Sequence, residues 1–150
     1  MTHEERSNLI AIFSALAVII YLALKLSGMN EAGAFAGPDA VKIWARTVLW
    51  IIPISIVSMI VLTILATILF AIVTNTPDPV LIVDERDRQI GSWGTKVSIL
   101  AVSAGFIMSI IALAFFGWTA LAALNCIFFS FAIGDLFGNL TKMFLWRRGV

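Results

Sequence analysis

Residues 50–73 read WIIPISIVSMIVLTILATILFAIV, a run without a single charged side chain. A helix needs about 20 predominantly apolar residues to cross the hydrocarbon core of a bilayer. The run is therefore predicted to be a transmembrane helix.

Three further stretches match the same template, at residues 9–24, 97–116 and 121–145. The sequence thus predicts an all-α, polytopic integral membrane protein with four transmembrane helices, forming one transmembrane domain over residues 1–150. The expected helices lie at about 8–26, 42–74, 84–117 and 119–146.

Composition supports this class. Hydrophobic residues make up 61% of the chain and charged residues 13%, against about 45–50% and about 25% in soluble domains. The net charge of +1 and the scattered basic residues exclude a nucleic-acid-binding surface. His3 and Cys126 are the only residues of their types. We therefore expect no metal, no cofactor and no catalytic residue, and the protein is predicted not to be an enzyme.

Basic residues indicate the orientation, because Lys and Arg resist translocation. Both termini and the central connection carry seven of them, and the opposite connections carry three: Arg6, Arg86, Arg88, Lys96, Lys142, Arg147 and Arg148 against Lys25, Lys42 and Arg46. We expect both termini and the charged central connection in the cytoplasm. The first apolar run is interpreted as a retained helix, since it exceeds the 7–15 residues usual in a signal peptide.

The second helix is too long for a simple crossing. From Lys42 to Val73 it would extend about 48 Å at ~1.5 Å per residue. Pro53 removes a backbone donor and predicts a kink. Lys42–Ile52 is then an interfacial segment that leads into the crossing helix. The alternative, one long tilted helix, stays open.

Asp135 is the one ionisable residue well inside an apolar run, about 10 Å along the helix from Lys142. A carboxylate at that depth must face the protein interior or a water-filled cavity. Equal depths in the other helices predict a shared polar layer. The candidate intramembrane polar site comprises Asp135, Ser14, Thr67, Ser103 and Asn139. It is either an ion or proton site, or a hydrogen-bonded acid that locks the bundle.

Small residues recur at a spacing of four in the last two helices. Gly134 and Gly138 form a GxxxG step in the fourth, and Ala101, Gly105 and Ser109 follow the same spacing in the third. Such faces let membrane helices approach closely, either within one chain or between copies. We expect a homo-oligomer in the lipid bilayer.

The five charged residues Asp84-Glu85-Arg86-Asp87-Arg88 precede the third helix. Asp84 is predicted to be its N-cap, with acidic residues in the first turn, where they favour the positive end of the helix dipole. The segment is either a capped helix start or a docking surface for a cytoplasmic protein partner. Exposed carboxylates beside arginines lack the burial that catalysis would need.

The stretch D-E-R-D-x-x-I at residues 84–90, placed before a third membrane helix, resembles a group of small bacterial and archaeal four-helix membrane proteins. The resemblance implies the helix count and an association with small DNA-binding regulators, and it implies no activity.

Two functions remain open at this stage. The first is a non-enzymatic interaction or regulatory component of the membrane, with residues 84–88 as its docking surface. The second is a small transporter or channel that uses Asp135. A cavity reaching Asp135 would favour transport, and a closed bundle would favour the first function.

Overall fold

The computed structural model describes residues 3–74 and 84–148, which form four long α-helices and no β-strand. Their bounds are α1 His3–Glu31, α2 Ala40–Thr74, α3 Glu85–Phe115 and α4 Ala120–Arg148. All four are long and apolar enough to cross a membrane. The predicted all-α, four-span fold class is confirmed, and the chain is an integral membrane protein.

α1 is longer at both ends than the predicted run 8–26. No proline interrupts residues 3–31, so its polar ends continue the helix. The helix stops just before Gly33, whose φ of 74° is a conformation that favours glycine.

α4 lies at the centre of the bundle, because it packs extensively on α3 and also contacts α1 and α2. The terminal end, where α1 begins and α4 finishes, is joined by a hydrogen bond from Asn8 Nδ2 to the Asn139 carbonyl, 2.8 Å long. We call the opposite end, with the connections 32–39 and 116–119, the loop end.

Glycines bring the backbones of α3 and α4 into close approach. A Cβ added at Gly138 would lie 2.8 Å from the carbonyl oxygen of Gly94, and one at Gly134 would lie 2.9 Å from that of Ser98. Neither space admits a methyl group. The two helices are antiparallel, and their register is set by these contacts.

The buried core lies at the loop end, between α1 and α2, and phenylalanines of α4 pack against it. Its fully or nearly buried members are Leu22, Leu26, Trp44, Val48 and Ile51. Trp44 crosses to α4, where its Nε1 donates a 2.6 Å hydrogen bond to Asn125 Oδ1. The Trp44 ring also meets Phe128 edge to face, at 6.3 Å between centroids. Membrane helices gain specificity from such polar links.

α2 is a single continuous helix that passes through Pro53. Residues 42–52, predicted as an interfacial segment, form its first part and pack one face on α1. Beyond Pro53 most large apolar side chains of residues 54–72 are exposed. Such a surface would be unfavourable in water, but lipid tails are as apolar as these side chains.

The turn between α3 and α4 is tight. Gly117 has a φ of 65°, so the chain reverses at a residue without a Cβ. Thr119 then accepts a hydrogen bond from the Ala122 N–H at 3.2 Å and begins α4.

Candidate functional site

Asp135 lies in α4, about three turns before Trp146. Its side chain is exposed. It borders three cavities between the helices. Among the described residues none donates a hydrogen bond to its carboxylate. The interpretation of Asp135 as a hydrogen-bonded acid that locks the bundle therefore gains no support from a side-chain contact among the described residues.

The largest of these cavities has a volume of about 360 Å³ and opens between α1, α2 and α4. Most of its lining residues are polar or charged, although their aliphatic parts also form part of the wall. The lining comprises Ser7, Asn8, Ala11, Met59, Asp135, Asn139, Lys142 and Trp146. We call this space the polar cavity. Trp146 follows Asp135 by 11 residues, or about 16 Å along the helix, so the cavity extends from the terminal end to Asp135.

Hydrogen bonds order the wall of the polar cavity. Asn139 accepts twice: its carbonyl from Asn8 Nδ2, and its side-chain Oδ1 from Lys142 Nζ at 3.1 Å. Asn8 is 5% exposed. Its Oδ1 is buried and has no hydrogen-bond partner among the described residues. Since the Asn139 carbonyl can only accept, Asn8 must present Nδ2 to it, and the orientation of the amide is fixed.

Lys142 separates the polar cavity from a smaller one of about 120 Å³ between α3 and α4. The lysine stem lies directly over Gly94, where a Cβ would be 2.6 Å from both Cγ and Cε. The absence of a side chain at Gly94 thus lets Lys142 turn inward toward Asn139. The side chain carries its ammonium away from the terminal end of the bundle.

A third cavity, of about 210 Å³, adjoins Asp135 on its loop-end side. Most of its lining is apolar. It comprises Ala11, Ser14, Ala15, Val18, Ser55, Ile56, Met59, Ala132 and Asp135. We call this space the apolar cavity. It shares Ala11 and Met59 with the polar cavity, so the two meet at Asp135.

The predicted polar layer is brought together only in part. Ser14 and Asn139 line cavities with Asp135, but Thr67 and Ser103 line none of the three. The structure therefore brings Ser14 and Asn139 together with Asp135 and does not bring Thr67 and Ser103 to these cavities. Their places are taken by Ser55 of α2 and Ser98 of α3, which sequence reasoning did not select.

The difference between the predicted layer and the observed lining has a geometric cause. The depths were counted from the basic residues at the helix ends, with Lys96 taken as level with Lys142. The glycine contacts instead put Lys142 beside Gly94 and Ser130 beside Gly105. Ser103 therefore lies about one turn nearer the loop end than Asp135. The depth of a helix residue cannot be read from its own sequence when the helices are tilted and staggered.

The small residues line the contact between α3 and α4. Gly105 lies against Ser130, and Ser109 is fully buried, donating to the carbonyl of Gly105 at 2.7 Å. Ala101 is half-buried. Together with Gly134 and Gly138 these residues serve packing within one chain.

The charged segment is attached to the end of α4. Asp84 is the N-cap of α3 and accepts from the Glu85 N–H at 2.7 Å. Asp87 Oδ1 accepts from Trp146 Nε1 at 2.9 Å, and Arg86 Nη2 donates to the Trp146 carbonyl at 3.3 Å. Arg88 is exposed. Trp146 thus connects the segment 84–88 to the wall of the polar cavity.

No group of three or more His, Cys, Asp or Glu side chains that could hold a metal ion occurs within residues 3–74 and 84–148. Cys126 is half-buried and reduced. Comparison with known proteins found no matching family model, no similar curated protein and no similar solved structure.

Proposed function

We propose that the protein is a small, non-enzymatic transporter or channel that binds a cation or a proton at Asp135. The observation that carries the proposal is the polar cavity, which extends from the terminal end of the bundle to this carboxylate. An ionisable residue within a membrane span is costly unless it meets water or a partner. A cavity of about 360 Å³ has room for that water.

The other end of the bundle favours a carrier over an open pore. Between Asp135 and the loop end, Leu22, Trp44 and Ile51 belong to a buried core. A site that is open toward one end and closed toward the other is what one state of an alternating-access carrier requires. The distribution of basic residues would place the open end in the cytoplasm.

Flux measurements test the proposal. Purified protein in liposomes should carry protons or a monovalent cation, and Asp135→Asn should lower the flux at least tenfold, because it removes the negative charge and keeps the shape. Asp39→Asn is the matched control, since Asp39 is exposed in the connection 32–39. Flux that is absent in all three proteins, or equal in all three, would exclude transport through Asp135.

A second function, an interaction or regulatory component, is favoured by a different observation. The contacts of Arg86 and Asp87 with Trp146 hold the segment 84–88 against α4. Glu85 and Arg88 are exposed beside it. A charged surface held in one conformation needs less ordering when a partner binds.

Charge reversal separates this function from transport. Exchanging Glu85 and Arg88 for residues of opposite charge should abolish the recovery of a specific partner by crosslinking in membranes, and it should leave Asp135-dependent flux unchanged. Asp39→Lys, at the loop end, is the matched control. Unchanged partner recovery in the charge-reversed variant would rule out the docking surface.

A further inference from the structure

Two cavities of opposite character meet at Asp135, one polar and one apolar. Resting on the proposed function, we propose that the site takes an organic ammonium ion with an apolar body. The charged head lies in the polar cavity beside Asp135, and the body lies in the apolar cavity between α1, α2 and α4. An inorganic ion would leave the apolar cavity without a role.

The polar cavity offers acceptors to a cation that donates hydrogen bonds. The Asp135 carboxylate lines this cavity and receives no hydrogen bond from a described residue. Asn8 also lines the cavity, but its Oδ1 is buried in the wall and is not offered to a ligand. An ammonium group placed in the cavity would donate to the carboxylate oxygens and bring a compensating charge.

The site already holds one ammonium group. Lys142 Nζ donates to Asn139 Oδ1 at 3.1 Å and lines the same cavity as Asp135. The cavity wall thus already binds the ammonium group of Lys142, whose aliphatic stem lies over Gly94. A free ammonium ligand in this cavity is repelled by the charge of Lys142.

Other cations fit less well. Calcium takes 6–8 oxygen ligands, usually several of them carboxylates. The cavities at Asp135 contain one carboxylate, and no metal-binding group of three acidic or imidazole side chains occurs within the described ranges. The polar cavity, at about 360 Å³, falls within the range of small-molecule sites, ~300–1,000 Å³, and the adjoining apolar cavity adds about 210 Å³.

Calorimetry in nanodiscs of zwitterionic lipid, with empty nanodiscs subtracted, provides the test. Hexylammonium should bind saturably, whereas methylammonium lacks the body, hexanol lacks the charge and hexanoate has the opposite charge. We expect each of these three to bind at least tenfold more weakly. Asp135→Asn should weaken hexylammonium binding at least tenfold, since it removes the charge of the group to which the ammonium head donates.

Two further variants test the two halves of the site. Ala132→Leu fills the apolar cavity and should weaken hexylammonium binding more than methylammonium binding; Ala15→Leu, on the facing helix, repeats the test if the first variant fails to fold. Lys142→Met keeps the stem over Gly94, removes the repelling charge and should tighten hexylammonium binding severalfold.

Several results would overturn the proposal. They are hexanol binding as tightly as hexylammonium, equal binding to the wild type and Asp135→Asn, or binding unaffected by both leucine variants and by Lys142→Met. These results are distinct from failure of the proposed function. If protons or potassium cross in an Asp135-dependent manner but hexylammonium neither binds nor slows that flux, transport stands and the organic ligand does not.

Discussion

The close approach of α3 and α4 predicts that Gly138→Ala destabilises the protein. The added Cβ would lie 2.8 Å from the Gly94 carbonyl oxygen, whereas ordinary contact begins at 3.4 Å. The difference, 3.4 minus 2.8, requires the backbones to separate by about 0.6 Å, and overpacking of this kind costs about 1–3 kcal/mol. The obstacle is backbone, which no rotamer change can move aside.

Gly91→Ala is the matched control, because a Cβ at Gly91 meets nothing within 4 Å. Both substitutions gain about 0.5–1 kcal/mol of helix propensity, so the difference between them isolates the packing term. Reversible unfolding by SDS titration, followed by circular dichroism in mixed micelles, measures both. We expect Gly91→Ala to be neutral or stabilising and Gly138→Ala to be less stable than it by about 1–3 kcal/mol. Equal stabilities within about 0.5 kcal/mol would refute the backbone contact between α3 and α4.

Three other substitutions test separate parts of the bundle. Trp44→Phe removes the donor to Asn125 and should lower the free energy of unfolding by about 1–3 kcal/mol, measured by the same titration; no loss would contradict a structural role for this bond. Trp146→Phe removes the bond to Asp87 and should increase hydrogen exchange in the first turns of α3 while leaving the loop end unchanged. Pro53→Ala restores a backbone donor inside α2 and should raise the thermal midpoint, because proline inside a helix costs up to about 3 kcal/mol; a lower midpoint would show that the proline is needed for packing.

Local chemistry made the fold predictable. Four apolar runs, the N-cap at Asp84 and the acidic residues in the first turn of α3 follow from side chains close together in the sequence, and the structure has helices in those places. The sequence predicts a shorter α1, because only its apolar part matches the template for a membrane span. No proline occurs between the apolar run and Gly33, so the helix continues through its polar ends.

The sequence singles out Asp135, but it does not show which residues surround it. Asp135 stood out because one charge lies deep in an apolar run. Its neighbours depend on the stagger of helices that are far apart in the chain: Asn8 and Asn139 are in contact although 131 positions separate them. Gly94 indicates that another part of the protein approaches α3 closely, because a glycine inside a helix often has that role. The sequence does not show that the approaching group is Lys142.

The helix α2 is packed unevenly along its length. Its first part, residues 40–52, is fixed at the loop end by the burial of Trp44, and Pro53 lies where the mostly exposed second part begins. The second part reaches from Pro53 to Thr74, about 32 Å at ~1.5 Å per residue. A rotation of about 10° at Pro53 would move Thr74 by about 5.5 Å, given that length. Ser55 lies only two residues from Pro53 and lines the apolar cavity, so the same rotation would displace it by about 0.5 Å, roughly a tenth of the movement at the terminal end.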